Sequence, residues 1–374
     1  MMKKILFLIH DLQGGGAEKV LVNLVNNMDY TKFDVTIMTL FDVGINRQFL
    51  CDKVHYKYVY RKMMRGNSHL MKLLTPEQLH KKYIKDEYDV EVAYLEGPCA
   101  RIISGCPNTN TKLVSWIHIE QHTSERAASS FRNIEEAEKC YNRFDRIICV
   151  SETVKQDFES IVSLDKPTEV LYNTNESDKI IALAKENVDG IQFSSHKVNL
   201  IGVGKLLKSK GFDKLVRIVK RLVSEDYPIH LYILGVGELE NELKSYIAQE
   251  NLGQHIDLLG YQKNPYKYVA KADCFVCASL QEGFSTAATE ALIVGTPVCT
   301  VEVSGMKEML GEHNEYGIVT ENNEQALYEG IKSLLDDPDL LAHYKKQAEI
   351  RGKDFSTEKT VRAVEKMLLS VNNS

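Results

Sequence analysis

The feature that most restricts this chain is a recurring pair: a short, almost wholly apolar run and an amphipathic stretch behind it. Lys4–Ile9, Phe33–Leu40, Val90–Leu95, Thr111–Ile117 and Arg146–Val150 are such runs in the first half, and Val198–Val203, Ile229–Leu234, Cys274–Ala278 and Pro297–Val301 follow in the second. Runs without polar alternation belong to strands covered on both faces, and helical crossovers supply that cover in a parallel sheet. The chain therefore reads as α/β. Its 374 residues suffice for two domains, each with its own core. A formal charge of -6 argues against a nucleic-acid partner. No apolar run approaches the roughly 20 residues needed to span a bilayer, and Met1-Met2-Lys3-Lys4 leads into a strand too short for a signal peptide, so a cytoplasmic protein is expected.

Within this rhythm, Leu280-Gln281-Glu282-Gly283-Phe284-Ser285-Thr286 joins the run Cys274–Ala278 to a helix that Gly295 and Pro297 end. The first amides of a helix lack internal partners and carry partial positive charge, so an anion fits there. Gly283 lets the backbone approach a ligand, and Ser285 or Thr286 can cap. Glu282, ahead of the helix, would repel a phosphate and is expected to face neutral hydroxyls. Glu290, more than a turn into the helix, can reach a vicinal diol such as ribose. Two carboxylates flanking an anion site point to a nucleotide sugar, although the same spacing also fits a surface helix with two solvated glutamates.

Glu282-Gly-Phe through Glu290-Ala-Leu, then Gly295-Thr-Pro-Val298, resembles the paired-glutamate motif of glycosyltransferase family 4, retaining enzymes of the GT-B fold. The resemblance implies two Rossmann-like domains facing each other across a cleft: an acceptor-binding domain over residues 1–175 and a nucleotide-sugar-binding domain over 190–355, with the C-terminal helix, 357–374, crossing back onto the first. Val170-Leu171-Tyr172-Asn173 resembles the strand closing the first domain, and the polar stretch to His196 reads as a hinge with a local helix around Ile180–Lys185. Other family features occur in order. Gly14-Gly15-Gly16 follows the first strand; on its own it fits either a tight turn or a backbone-lined ligand site, and the resemblance gives Gly15 and Gly16 contact with acceptor and donor phosphates. His118, delivered by Thr111–Ile117 to the ligand end of its strand, matches a histidine beside the donor sugar; a structural role or its neighbour His122 is the rival. In Gly204-Lys205-Leu206-Leu207-Lys208-Ser209-Lys210-Gly211, Lys205 stands where arginine is usual and keeps the charge without the planar fork that grips phosphate. Lys205 and Lys210 are nonetheless expected at the diphosphate, with Ser304-Gly305 beside them, and Tyr261 at the nucleobase. The expected catalytic set is Glu282, Lys210, Lys205 and His118. The donor set is Gly15, Gly16, Lys205, Lys210, Tyr261, Glu282, Gly283, Phe284, Ser285 and Glu290.

The implied reaction moves a hexose, with retention and without a metal or other cofactor, from a nucleoside-diphosphate sugar, foremost a UDP-sugar, to a saccharide acceptor that is lipid-linked in bacterial surface polysaccharide synthesis. A nucleotide-sugar epimerase of the same architecture and a non-catalytic nucleotide-binding subunit are the competing readings. Residues 57–85 mix Lys57, Arg61, Lys62, Arg65, Lys72, Lys81, Lys82 and Lys85 with Tyr58, Met63, Met64, Leu70 and Leu73, a composition suited to peripheral contact with an anionic membrane face or to ordinary solvated helices. The eight cysteines, scattered through apolar runs, read as buried thiols, and Cys274 and Cys277 lack the second pair a zinc site needs. Asp337-Pro338-Asp339 reads as a helix cap rather than a metal motif. Leu340–Ile350 and Thr357–Leu369 read as amphipathic helices.

Overall fold

The computed structural model describes residues 2–63, 71–188 and 190–371. Met64, Arg65, Gly66-Asn67-Ser68 and Leu70 of the basic segment, and 372–374 of the expected C-terminal helix 357–374, lie outside the described residues. The chain forms two units, Met1–Asn175 with Thr357–Ser374, and Glu176–Ser356.

In the first unit the apolar runs become β1 (Lys3–Ile9), β2 (Phe33–Phe41), β3 (His55–Tyr60), β4 (Val90–Ala93), β5 (Lys112–Ile117), β6 (Arg146–Cys149) and β7 (Glu169–Val170), in one parallel sheet ordered β3-β2-β1-β4-β5-β6-β7. β1 runs in register with β2 from Lys3 opposite Phe33 to Ile9 opposite Thr39. The second unit holds β8 (Val198–Val203), β9 (Ile229–Leu234), β10 (Ile256–Gly260), β11 (Cys274–Cys277), β12 (Val298–Val301) and β13 (Ile318–Thr320), ordered β10-β9-β8-β11-β12-β13. Both orders reverse direction once, between β1 and β4 and between β8 and β11. Loops leaving the carboxyl ends of strands part to opposite faces at such a point and open a crevice, which is where α/β sheets take ligands.

Local chemistry sets the helices. Thr75 and Gln78 form a reciprocal capping box, with Pro76 in the first turn of Pro76–Tyr83. Ser151 caps Glu152–Ile161. Phe212–Ser224 turns Phe212, Leu215, Val216, Ile218, Val219 and Leu222 onto the second sheet, the repeat expected of a helix with one covered face. Asp337 accepts from the amides of Asp339 and Leu340 at 3.0 Å each and caps Pro338–Arg351. That helix buries only Tyr344 and Ala348, a narrower stripe than its sequence suggested.

Two boundaries differ from the sequence reading. The strand expected at Val170–Asn173 is only Glu169–Val170, because its one neighbour, β6, is itself four residues long and runs out of partners. The local helix expected around Ile180–Lys185 runs from Ser177 to Ala184 and belongs to the second unit, ahead of that unit's expected start at 190: it buries Ile180, and Asn264 Nδ2 donates to Leu183 O at 2.9 Å. All eight cysteines are free thiols, seven of them buried.

The last helix, Thr357–Ser370, belongs to the first unit. It buries Thr360, Val361, Val364, Met367 and Leu368. Lys3 Nζ donates to Leu368 O at 2.9 Å and Val371 O at 3.1 Å, and Glu365 Oε1 accepts from the Asp29 amide at 2.6 Å. Leu368 is fully buried, so Leu368→Ala should cost about 2–5 kcal/mol in urea denaturation through the lost transfer term and the cavity left behind.

Inside the same unit, His80 Nε2 lies 2.8 Å from Glu91 Oε2, both buried. Burial pulls the histidine down, but its hydrogen bonds with Cys106 and Glu91 outweigh that and lift it from 6.5 to about 9. The stabilisation is fully present below the unfolded value near 6.5 and is lost as pH rises through about 9. Urea midpoints should show the advantage of wild type over His80→Gln shrinking between those two pH values.

Candidate functional site

At the β8/β11 crevice of the second unit, two loops are drawn together by their backbones. Gly211 has φ +66, and a Cβ on it would lie 2.0 Å from Ala278 O, so only glycine permits the approach. The Leu280 amide donates to Ser209 O at 2.7 Å. This brings Lys210, from the loop after β8, against Glu282, from the loop after β11: Nζ to Oε1 is 2.6 Å, with the side chains 30% and 13% exposed. Ser279 Oγ donates to the same Oε1 at 2.7 Å. Glu282, expected to face neutral hydroxyls, thus meets the Ser279 hydroxyl and also the Lys210 ammonium. A partly buried carboxylate beside an ammonium forms a short charge-assisted bond, and this loop geometry supplies the ammonium.

Ser285 caps helix Thr286–Ile293, its Oγ accepting from Ala288 N at 3.4 Å. Gly305, at φ +77, packs so closely that a Cβ there would lie 2.7 Å from the Phe284 ring and 3.2 Å from Gly283 O. The loop after β12 therefore buttresses the motif. Phe284 is buried with its ring 5.8 Å from Phe355, so its side chain is a packing anchor. Glu290 is also buried, with Tyr266 OH donating to its Oε1 at 3.3 Å. Lys205 is exposed and has no ion-pair partner among the described residues. Tyr261, directly after β10, is 65% exposed and offers an open ring face.

In the first unit, Gly15 is the N-cap of helix Gly16–Asn26 and supplies no side-chain cap. A Cβ on Gly15 would lie 2.0 Å from Glu18 Oε2, so the Glu18 carboxylate packs against Gly15 and leaves no room for a side chain there. Gln13 and Gly14 line a cleft with Val43, Gly44, Ile45 and Met63.

His118 stands at the carboxyl end of β5, its ring 4.9 Å from that of Tyr94. Burial depresses it to about 3, against a smaller upward effect of its hydrogen bond to the Tyr94 backbone, so the ring is neutral. Its Nε2 is enclosed and has no partner among the described residues. The His118 amide donates to Glu96 Oε2 at 3.1 Å, and burial raises the Glu96 carboxyl despite its backbone hydrogen bonds. The rival His122, at φ +62, donates its amide to Asp157 and leaves its side chain 49% exposed.

Sequence reasoning missed Ser279, Tyr266 and Glu96. Glu96 was readable: it follows β4, one of the two strands flanking the reversal of the first sheet, where a polar side chain is placed to meet a ligand. Among the described residues, two groups in the first unit have metal-ligand atoms within 4.8 Å of one another, His80 with Glu91 and Cys106, and Glu120 with His122 and Asp157; neither includes an expected donor-site residue. Cys274 and Cys277 are three apart on one strand and so point to opposite faces. Of the basic segment, Lys57 pairs with Asp86 at 2.5 Å, while Met63 and Leu73 are exposed. No helix among the described residues is long and apolar enough to cross a membrane.

Known proteins supply the context for this geometry. Residues 14–175 match the family model for Glycosyltransferase Family 4, and residues 185–351 that for Glycosyl transferases group 1. The chain is 29% identical, over 98% of its length and 100% of the relative's, to the N-acetylgalactosamine-N,N'-diacetylbacillosaminyl-diphospho-undecaprenol 4-alpha-N-acetylgalactosaminyltransferase of Campylobacter jejuni. It is 32% identical to an uncharacterized glycosyltransferase of Methanocaldococcus jannaschii, over 68% of this chain and 71% of that one. Among solved structures, Anabaena HepE in complex with UDP and glucose aligns with a TM-score of 0.76 at 18% identity, over 98% of this chain and 100% of that one. These matches and the two Rossmann-like units agree with the GT-B fold, and the chain belongs to glycosyltransferase family 4.

Proposed function

We propose that this glycosyltransferase moves a hexose, with retention of anomeric configuration and without a metal, from a UDP-sugar to a lipid-linked saccharide in bacterial surface polysaccharide synthesis. The observation that carries the reading is the meeting of Lys210 and Glu282 at the reversal point of the second sheet, beside the amides of helix Thr286–Ile293. One group suits a diphosphate and the other sugar hydroxyls, and they are adjacent as the two parts of a nucleotide sugar are. Support for the substrate classes comes from relatives: the Campylobacter protein is named for transfer to a diphospho-undecaprenol-linked saccharide, a Staphylococcus aureus relative for capsular polysaccharide biosynthesis, and HepE was solved with UDP and glucose.

In this reading Lys210 and Lys205 meet the charge that grows on the leaving phosphate, with the Ser304–Gly305 turn beside them. Glu282 orients the sugar hydroxyls, Glu290 the ribose, and Tyr261 stacks on the base. The departing phosphate takes the acceptor's proton. His118, neutral and bonded to the Tyr94 backbone, has Nε2 left as an acceptor, so it suits a sugar hydroxyl and not a phosphate. In the first unit, the cleft beside Gln13 and Gly14 suits the acceptor. Exposed Met63 and Leu73, with Arg61, Lys62, Lys72, Lys81 and Lys82, suit an anionic membrane surface.

Four measurements check this. Incubating the protein with UDP-glucose, UDP-N-acetylglucosamine and UDP-N-acetylgalactosamine, with and without undecaprenyl-diphosphate-linked saccharides, and following products by NMR should give transfer with retained configuration. Conversion of donor without acceptor would favour an epimerase, and binding without turnover a non-catalytic subunit. Lys210→Ala should lower turnover by about 10² to 10³ with little change in melting temperature, since it removes a preorganised charge at the leaving group. Glu282→Gln should abolish most transfer yet tighten UDP binding several-fold in calorimetry, because Lys210 loses the carboxylate that competes with phosphate; weaker UDP binding would separate Lys210 from the diphosphate. Lys81→Glu with Lys82→Glu should reduce co-sedimentation with phosphatidylglycerol vesicles.

A further inference from the structure

We propose that Ser279 is a positioning residue that holds Glu282 in its sugar-reading orientation while Lys210 turns to the diphosphate. The inference rests on the donor assignment above and adds a residue to it. Ser279 is 2% exposed and lies just beyond β11, in the neck of the loop that carries Glu282. Its hydroxyl is 2.7 Å from Glu282 Oε1, and since a carboxylate only accepts, the hydroxyl must be the donor. Behind it, Cys277 Sγ lies 3.4 Å from Ser279 Oγ and can donate into it, because burial pushes that thiol up and keeps its proton on. The Ser279 carbonyl accepts from Asn322 Nδ2 at 3.4 Å. A relay therefore runs from a buried thiol through a buried hydroxyl to one oxygen of the carboxylate.

The arrangement divides the labour of Glu282. Oε1 is taken by Ser279 and Lys210, and Oε2 takes no bond among the described residues. With one oxygen tethered, the other has a fixed direction and can serve only ligands that bring hydrogen-bond donors, as adjacent sugar hydroxyls do. Lys210 is a poor permanent tether. Its side chain is 30% exposed, its ammonium rotates freely about a flexible stem, and a diphosphate offers it more negative charge than one carboxylate does. Ser279 has no such alternative, so when the lysine is drawn away the hydroxyl keeps Glu282 from swinging into solvent.

The test compares the full-length chain with Ser279→Ala and Ser279→Thr by calorimetry, using UDP and the three UDP-sugars named above. Ser279→Ala should bind UDP within about twofold of wild type and bind the preferred UDP-sugar about tenfold more weakly, the scale of one hydrogen bond to a charged group. Ser279→Thr, which retains the hydroxyl, should restore most of that loss, and melting temperatures should report an intact fold for both. Wild-type affinity of Ser279→Ala for the UDP-sugar would overturn the positioning role. Equal loss for UDP and UDP-sugar would also overturn it, by showing that Ser279 merely supports the loop. If wild type binds none of the four ligands, the donor assignment itself falls, and this inference falls with it.

Discussion

The candidate site depends on a backbone approach that only glycine allows. At Gly211 the chain comes so close to Ala278 O that any Cβ would collide, and the Leu280 amide closes the contact on Ser209 O. The contact between Lys210 and Glu282 is downstream of that approach. It puts an ammonium from one strand-to-helix loop beside a carboxylate from another, 72 residues further along the chain, and a 2.6 Å charge-assisted bond then holds them.

Around this contact, the second unit separates packing from ligand-facing surface within a single motif. Phe284 is turned into the core against Phe355 and is clamped by the close approach of Gly305, which anchors the loop. Glu282 and Lys210 retain partial exposure, Tyr261 and Lys205 are open, and the helix start follows at Ser285. Rigid support under a few accessible polar groups is what preorganised charge stabilisation requires. The first unit repeats the logic with different chemistry. The β4 end supplies a backbone acceptor at Tyr94 and a carboxylate at Glu96, and between them they fix a neutral histidine at the end of β5. The glycine loop after β1, by contrast, has the Glu18 carboxylate packed against Gly15, where a Cβ would otherwise stand.

Much of this was legible in the sequence, for reasons that are local. Apolar runs without alternation marked the strands, because a strand covered on both faces tolerates no polar face. Ser151, Asp337 and Ser285 announced helix starts, because their side chains satisfy amides within the same few residues. The paired glutamates and His118 stood out by position relative to strand ends together with the resemblance to the family motif, and the two lysines by that resemblance. Less legible were elements whose limits depend on neighbours. β7 stops where β6 ends, and helix Ser177–Ala184 joins the second unit because Ile180 finds cover there.

The sequence by itself therefore determined most of the segments that become strands and helices, where the helices are capped, and that two carboxylates would flank the strand-to-helix turn at Gly283, since each follows from covalent neighbours and apolar periodicity. Only the tertiary structure decided that Glu282 is paired to Lys210 and tethered by Ser279, that the Phe284 ring is buried, that Glu18 packs against Gly15, and that Glu96 holds the His118 amide. These contacts join groups from different loops, or set a side chain's direction within one. Their energies depend on distance and burial, which no local pattern of residues encodes.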